Sequence, residues 1–213
     1  MKGKPIQYYH KPSTKEYLVA LANFPCFLKL LKSETKPYKK LHEWLLDSQT
    51  FLADENNPLP TIKELATQLN LDSSKVPKYL RMIYDEIYEL NDRQPFLFKK
   101  EGQTLCFLSF NYLDQYAHFN LGLDVIPRKG EAFHFYFVKP KNGGDSFHVK
   151  DVVHSFENGN QEVRIYLTSE YPIAYMQLLK EKAYLHGDIS FMQLLSEPNF
   201  SLQEELVKQF KEL

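Results

Sequence analysis

With 213 residues, of which 43% are hydrophobic and 25% charged, the chain has the make-up of a folded protein and is not a disordered one. Its net charge of −1 excludes a polycation, yet residues 1–40 hold nine lysines and two glutamates, a net of +7, which leaves −8 for the remainder. We call residues 1–40 the basic head. A basic segment attached to an acidic remainder is typical of proteins that contact a polyanion, or of a solvated arm.

Two cysteines, Cys26 and Cys106, stand far apart and outside any metal-ligand spacing, so we expect two small buried residues in a reducing compartment. No secretory signal precedes them, and the apolar stretch "YLVALANFPCFLKLL" is too short and interrupted to span a bilayer. We therefore expect a cytoplasmic protein without membrane contact, and the sequence indicates no cofactor and no metal site.

The first half of the sequence predicts helices. Residues 13–32 form a first helical stretch that restarts at Pro25, and a second helix is predicted near residues 39–49. After the loop "DENNPLP", Thr61 is placed to cap the next helix, with Glu64 three residues later as its capping-box partner.

The stretch "LATQLNLDSSKVPKYL" places two short amphipathic runs back to back, separated by a tight turn. The second helix is predicted over residues 74–90, with apolar side chains at spacings of three and four. Ser74, Lys78 and Arg81 then point away from the apolar stripe, and Lys75 lies on its flank. Hydroxyl groups, free backbone N–H groups and three cations at an exposed helix start suit phosphate oxygens and base edges.

This stretch resembles a helix-turn-helix, in which the packing positions fall to Leu65, Ala66, Leu69, Leu71, Val76 and Leu80. A hairpin is predicted next, with "PFLFKK" and "TLCFLSFNYL" pairing across Gly102. The order of three helices and a hairpin is similar to that of the winged helix-turn-helix family of bacterial transcriptional regulators, over about residues 38–110. The resemblance implies double-stranded DNA as the partner, with DNA-binding residues in the recognition helix at Ser73, Ser74, Lys75, Lys78 and Arg81, and in the wing at Lys99, Lys100 and Gln103.

The sequence also departs from that family. Asn70 stands where the turn usually has glycine, and Pro77 lies early in the recognition helix. Asp85 and Glu89 share the outward face of Lys78, so only the start of the helix can approach phosphates. The basic head or a second copy of the chain would have to add positive charge.

The second half predicts an antiparallel meander. "EAFHFYFVKP" pairs with "SFHVKDVVHSFE" across "KNGGD", and the latter pairs with "EVRIYLTS" across "NGNQ". The aromatic run "AFHFYFV" is interpreted as core. Helices are predicted near residues 172–186, stopped by Gly187, and near residues 202–213.

The expected fold class is therefore α+β. Residues 1–110 would form a basic helical segment plus a winged helix-turn-helix, and residues 111–213 an antiparallel sheet covered by C-terminal helices. No nucleotide-binding or hydrolase motif occurs, so we expect no enzyme.

The expected function is DNA binding in transcription regulation. The second domain would sense an unidentified small ligand or join two copies into a homodimer, so that paired helices meet successive grooves. The alternative is a winged helix that grips another protein without binding DNA.

Overall fold

The computed structural model describes residues 9–48, 59–157, 159–170 and 174–192. The chain divides into a compact unit that ends at Ser169 and a smaller one that begins at Glu170. The division predicted near residue 110 falls inside a strand, in the middle of the first unit.

The helices described before the sheet begin and end where local chemistry dictates. Ser13 and Glu16 form a capping box ahead of the first helix, and Thr61 and Glu64 form one ahead of the fourth, as predicted for that helix. Pro25 restarts the chain as a short second helix, which is also confirmed. The bounds are α1 (Thr14–Asn23), α2 (Pro25–Leu28), α3 (Lys39–Asp47), α4 (Ile62–Leu69) and α5 (Lys75–Arg93).

The sheet is mixed. Its strands are β1 (Thr104–Tyr112), β2 (Gln115–Leu123), β3 (Ala132–His134), β4 (Ser146–Glu157) and β5 (Asn160–Thr168). They lie in the order β2-β1-β5-β4-β3, and β1 and β5 run parallel while the other neighbours are antiparallel. The antiparallel meander predicted for the second half is confirmed for β3, β4 and β5, but the expectation of a purely antiparallel sheet is wrong, because β5 also pairs with β1 in parallel. The physical reason is burial: the apolar side chains of β5 match those of β1 in the pairs Val163 with Cys106, Ile165 with Leu108 and Leu167 with Phe110.

The hairpin predicted between "PFLFKK" and "TLCFLSFNYL" is also wrong. Residues 95–98 form a short 3-10 helix, and β1 pairs with β2 instead. Pro95 lacks the N–H that a strand ladder needs, and the ring of Phe98 is buried in the core. β1 turns into β2 at Leu113 and Asp114, whose φ angles of 46° and 63° are typical of a tight hairpin turn.

The predicted β4–β5 hairpin is confirmed, and the preceding hairpin is confirmed in part. β3 pairs with the start of β4, but residues 136–138 form a 3-10 turn that leads into a short helix, α6 (Lys139–Asn142). Phe135 and Phe137 are buried, so the interpretation of this aromatic run as core is confirmed for those two rings.

One aromatic core joins the helices to the sheet. Phe137 is fully buried, and its ring centroid lies 5.1 Å from that of Phe27 in α2, 5.0 Å from Tyr84 in α5 and 5.2 Å from Phe119 in β2. The Tyr84 hydroxyl donates a hydrogen bond of 2.7 Å to the carbonyl oxygen of Phe137. The N-terminal helices and the sheet therefore depend on each other for burial.

Asn91 fastens α5 to the outer edge of the sheet. Its side-chain amide donates to the carbonyl oxygen of Asn120 in β2, and the N–H of Asn120 donates to Asn91 Oδ1, both over 2.8 Å. Asn91 is 3% exposed. The amide thus satisfies two backbone groups of β2, the strand at one edge of the described sheet.

Replacing Asn91 with leucine is expected to lower the free energy of unfolding by about 2 to 4 kcal/mol, because two partly buried backbone groups of Asn120 lose their partner. Urea denaturation measures the loss. The exposed neighbour is the control, since Asp92→Ala should change stability by less than about 0.5 kcal/mol. Equal small effects of the two substitutions would contradict the proposed role of the amide.

The second unit contains one described helix, α7 (Ala174–His186), which ends at Gly187 with a φ of 80°, as predicted. The helix predicted over residues 202–213 lies outside the described residues. Cys106 is buried as expected, but the expectation for Cys26 is wrong, since it is exposed at the start of α2. None of the described helices combines the length and apolar character that a bilayer crossing requires.

Candidate nucleic-acid interface

The turn between α4 and α5 is closed by backbone hydrogen bonds. Asn70 takes the left-handed conformation (φ 50°, ψ 52°), and its N–H donates to the carbonyl of Thr67 while the N–H of Leu71 donates to Ala66. This pattern is a Schellman motif, which most often uses glycine at the left-handed position. Asn is the residue best able to replace glycine in this conformation, so the tight turn forms although Asn70 stands where the helix-turn-helix family usually has glycine.

A carboxylate of the protein itself, that of Asp72, lies at the start of α5. The N–H of Ser74 donates to Asp72 Oδ1 over 2.8 Å, and the N–H of Lys75 donates to the Asp72 carbonyl over 2.9 Å. The hydrogen bonds from Ser74 lower the pKa of Asp72, with a smaller contribution from Lys75. The expectation that this helix start offers free N–H groups is therefore wrong for Ser74 and Lys75.

The cations of the predicted recognition helix project into solvent. Ser73, Ser74, Lys75 and Lys78 are exposed, and the Arg81 side chain is 70% exposed. Arg81 Nε lies 3.4 Å from Asp85 one turn further on, whereas Lys78 forms no ion pair within the described residues. Neither charge is buried by the parts of the chain that the structure describes.

The acidic residues further along α5 lie beside cations, some from α5 itself and one from α6. Lys141 of α6 lies 3.7 Å from Asp85, and Arg93 lies 3.2 Å from Glu89. Their charges are therefore compensated within the protein, which leaves the start of α5 as its positive end. Sequence reasoning missed Lys141, because it is distant in sequence and no local spacing links it to α5.

Glu86 is bound by the basic head. Its carboxylate accepts from Lys36, with a closest distance of 3.0 Å, and from the Tyr38 hydroxyl over 2.6 Å. Burial raises the pKa of Tyr38, and the hydrogen bond to Glu86 raises it further, so the phenol keeps its proton.

The predicted wing residues lie at the other end of α5. From Lys75 to Arg93 the helix rises by about 27 Å, and the segment with Lys99, Lys100 and Gln103 follows its C-terminal end. Gln103 Oε1 accepts from the N–H of Lys100 over 2.8 Å, and its amide donates to Asp124 over 3.2 Å. The structure therefore does not bring these residues to the recognition helix, and Gln103 serves to close its own loop.

Part of the basic head does lie near the start of α5. Lys15 of α1 lines an apolar pocket of about 370 Å³ together with Thr61, the residue that caps α4, and Leu80 of α5. Other lysines of the head are engaged elsewhere, Lys36 with Glu86 and Lys39 with Glu43. Within residues 9–40, the described lysines thus contribute positive charge in several places and do not form one strip.

Comparison with protein-family models, with curated proteins and with solved structures finds no match. Among the described residues, no group of three or more His, Cys, Asp or Glu side chains is arranged to hold a metal ion.

Proposed function

We propose that the protein binds double-stranded DNA through the start of α5 and acts in transcription regulation. The support comes from α4, the Asn70 turn and α5, two helices joined by a tight turn as in a helix-turn-helix, with exposed side chains at the start of the second helix. Only the helices of this chain support the resemblance to the winged family. At residues 95–98, where the first strand of the wing was predicted, the chain forms a 3-10 helix and no hairpin.

The observation that carries the proposal is the separation of charge along α5. Lys75, Lys78 and Arg81 lie in its first two turns and are open to solvent, while Asp85 and Glu89 beyond them have cationic partners. Contact with phosphates therefore fits the first two turns of the helix and not its full length.

Salt dependence provides the direct test. Three phosphate contacts predict a slope of about −2.7 in a plot of log affinity against log salt, so retention of a random duplex pool should weaken roughly 40-fold between about 50 mM and 200 mM salt. Gel mobility of the pool with the purified chain gives the slope, and sequencing of the retained DNA gives any preferred site. Absence of retention at the lowest salt, or retention that ignores salt, would reject DNA binding.

A role in gripping another protein is the second candidate. It is favoured by Phe96 and Leu97, which are 71% and 45% exposed directly after α5. Such binding would depend on apolar contact and respond weakly to salt. Ligand sensing, homodimerisation, the cytoplasmic location and the absence of catalysis, all expected from the sequence, stay predictions.

A further inference from the structure

The apolar pocket of about 370 Å³ lies among three helices of the first unit. Its walls come from the start of α1, from the residues that lead into α4 together with α4 itself, and from α5. Its volume falls in the range of small-molecule sites, which usually hold about 300 to 1,000 Å³ and have a mostly apolar lining. Six of the nine described residues that line this pocket are apolar: Leu18, Leu59, Pro60, Ile62, Leu65 and Leu80.

The polar groups of the pocket can all donate hydrogen bonds, and none of them carries a negative charge. Lys15 is the only ionisable residue in the described lining, and it forms no ion pair within the described structure. The other two polar residues are Thr14 and Thr61. Thr61 Oγ1 accepts from the N–H of Glu64 over 3.3 Å, which leaves its own hydrogen free to donate. The Glu64 carboxylate is bound to the N–H of Thr61 over 2.6 Å and does not line the pocket.

These features together select one class of ligand. The apolar lining favours a molecule with an apolar body, because contact with it removes both surfaces from water. The unpaired Lys15 ammonium favours a negative head, and a carboxylate can accept from the ammonium and from a threonine hydroxyl at the same time. A cationic head would meet Lys15 and no compensating acid in the described lining. A sugar would cover the apolar walls with hydroxyl groups that find few partners there.

We propose that this pocket binds a small apolar carboxylate, with Lys15 holding the carboxylate group. The proposal concerns ligand binding and does not require that the protein bind DNA. It places ligand recognition in the first unit, whereas the sequence-based expectation placed it in the second domain. A molecule in the pocket would contact Leu65 of α4 and Leu80 of α5, so it would touch both helices of the proposed DNA-binding motif.

Octanoate is the probe, because it combines a flexible apolar chain with one carboxylate. Isothermal titration calorimetry with the full chain is expected to show one site with a dissociation constant on the order of 100 µM. Octylamine has the same apolar chain and the opposite charge, so it should bind roughly 10-fold more weakly. In two-dimensional NMR spectra of the labelled chain, the largest shifts on adding octanoate should fall on residues of the lining, such as Leu18, Ile62 and Leu65.

A pair of variants tests the role of Lys15. Lys15→Gln should weaken octanoate binding roughly 3- to 5-fold, because the ammonium is lost, and should leave the binding of uncharged octanamide unchanged. The matched control is Lys40→Gln, which removes an exposed lysine of α3 outside the pocket lining and should bind octanoate like the wild type. Both side chains are exposed, so both variants should stay folded, which circular dichroism checks. Absence of saturable octanoate binding, shifts centred outside the lining, equal affinity for octylamine, or equal octanoate affinities of the two variants overturns the proposal.

Discussion

Replacing Lys78 and Arg81 together with alanine is expected to weaken binding to random duplex DNA by roughly 10- to 100-fold near 0.1 M salt, and to make the salt slope shallower by about 2. The reason is the loss of two phosphate contacts at the start of α5. Both side chains are exposed, and the Arg81–Asp85 ion pair contributes less than about 1 kcal/mol to folding, so the variant should stay folded. Gel mobility across a salt series measures both quantities.

The matched control removes the same number of positive charges from the sheet. Lys150 and Arg164 are exposed on β4 and β5, and Arg164 pairs with Glu162 as Arg81 pairs with Asp85. The double alanine variant at these positions should bind DNA like the wild type, with an unchanged slope. If both double variants lose affinity equally, net charge explains the binding and the start of α5 is not the contact.

Replacing Phe137 with alanine is expected to lower the free energy of unfolding by about 3 to 5 kcal/mol, a large part of the stability of an ordinary domain. The ring is fully buried among aromatic side chains from α2, α5 and β2, so its removal leaves a cavity that these elements cannot easily fill. Phe156→Ala, which removes an exposed ring, should cost less than about 0.5 kcal/mol.

Two spectroscopic probes show whether the helices and the sheet lose stability together in Phe137→Ala. Trp44 in α3 is the single tryptophan of the chain and reports on the N-terminal helices. Far-UV circular dichroism reports on helices and sheet together. Both transitions should move to lower urea concentration in Phe137→Ala, because one core serves both parts. A Trp44 transition that stays in place would show that the helices fold without the sheet.

The parts of the fold that sequence could predict are those set by neighbouring residues. The capping box of Thr61 and Glu64, the restart at Pro25 and the left-handed Asn70 each depend on chemistry within a few positions. The outward direction of Lys78 followed in the same way from the spacing of the apolar residues in α5.

Long-range pairing could not be predicted in this way. The strand content of the second half could be predicted, but alternation alone does not show that β5, besides pairing with β4, also lies parallel to β1. The ion pair of Lys36 with Glu86 joins positions far apart in the chain. The hairpin of the wing was wrongly predicted because "PFLFKK" has the composition of a strand. Pro95 and the buried Phe98 instead favour a compact turn.

The parallel pairing of β1 with β5 has a consequence for biosynthesis. The central strand pair cannot close completely until residue 168 has left the ribosome, so until then the nascent chain must hold its aromatic helices without a complete sheet. A fragment that stops at residue 110 would keep α5 but lack Phe119 and Phe137. Such a fragment should recruit chaperones or aggregate, and is unsuitable for testing the proposed DNA binding.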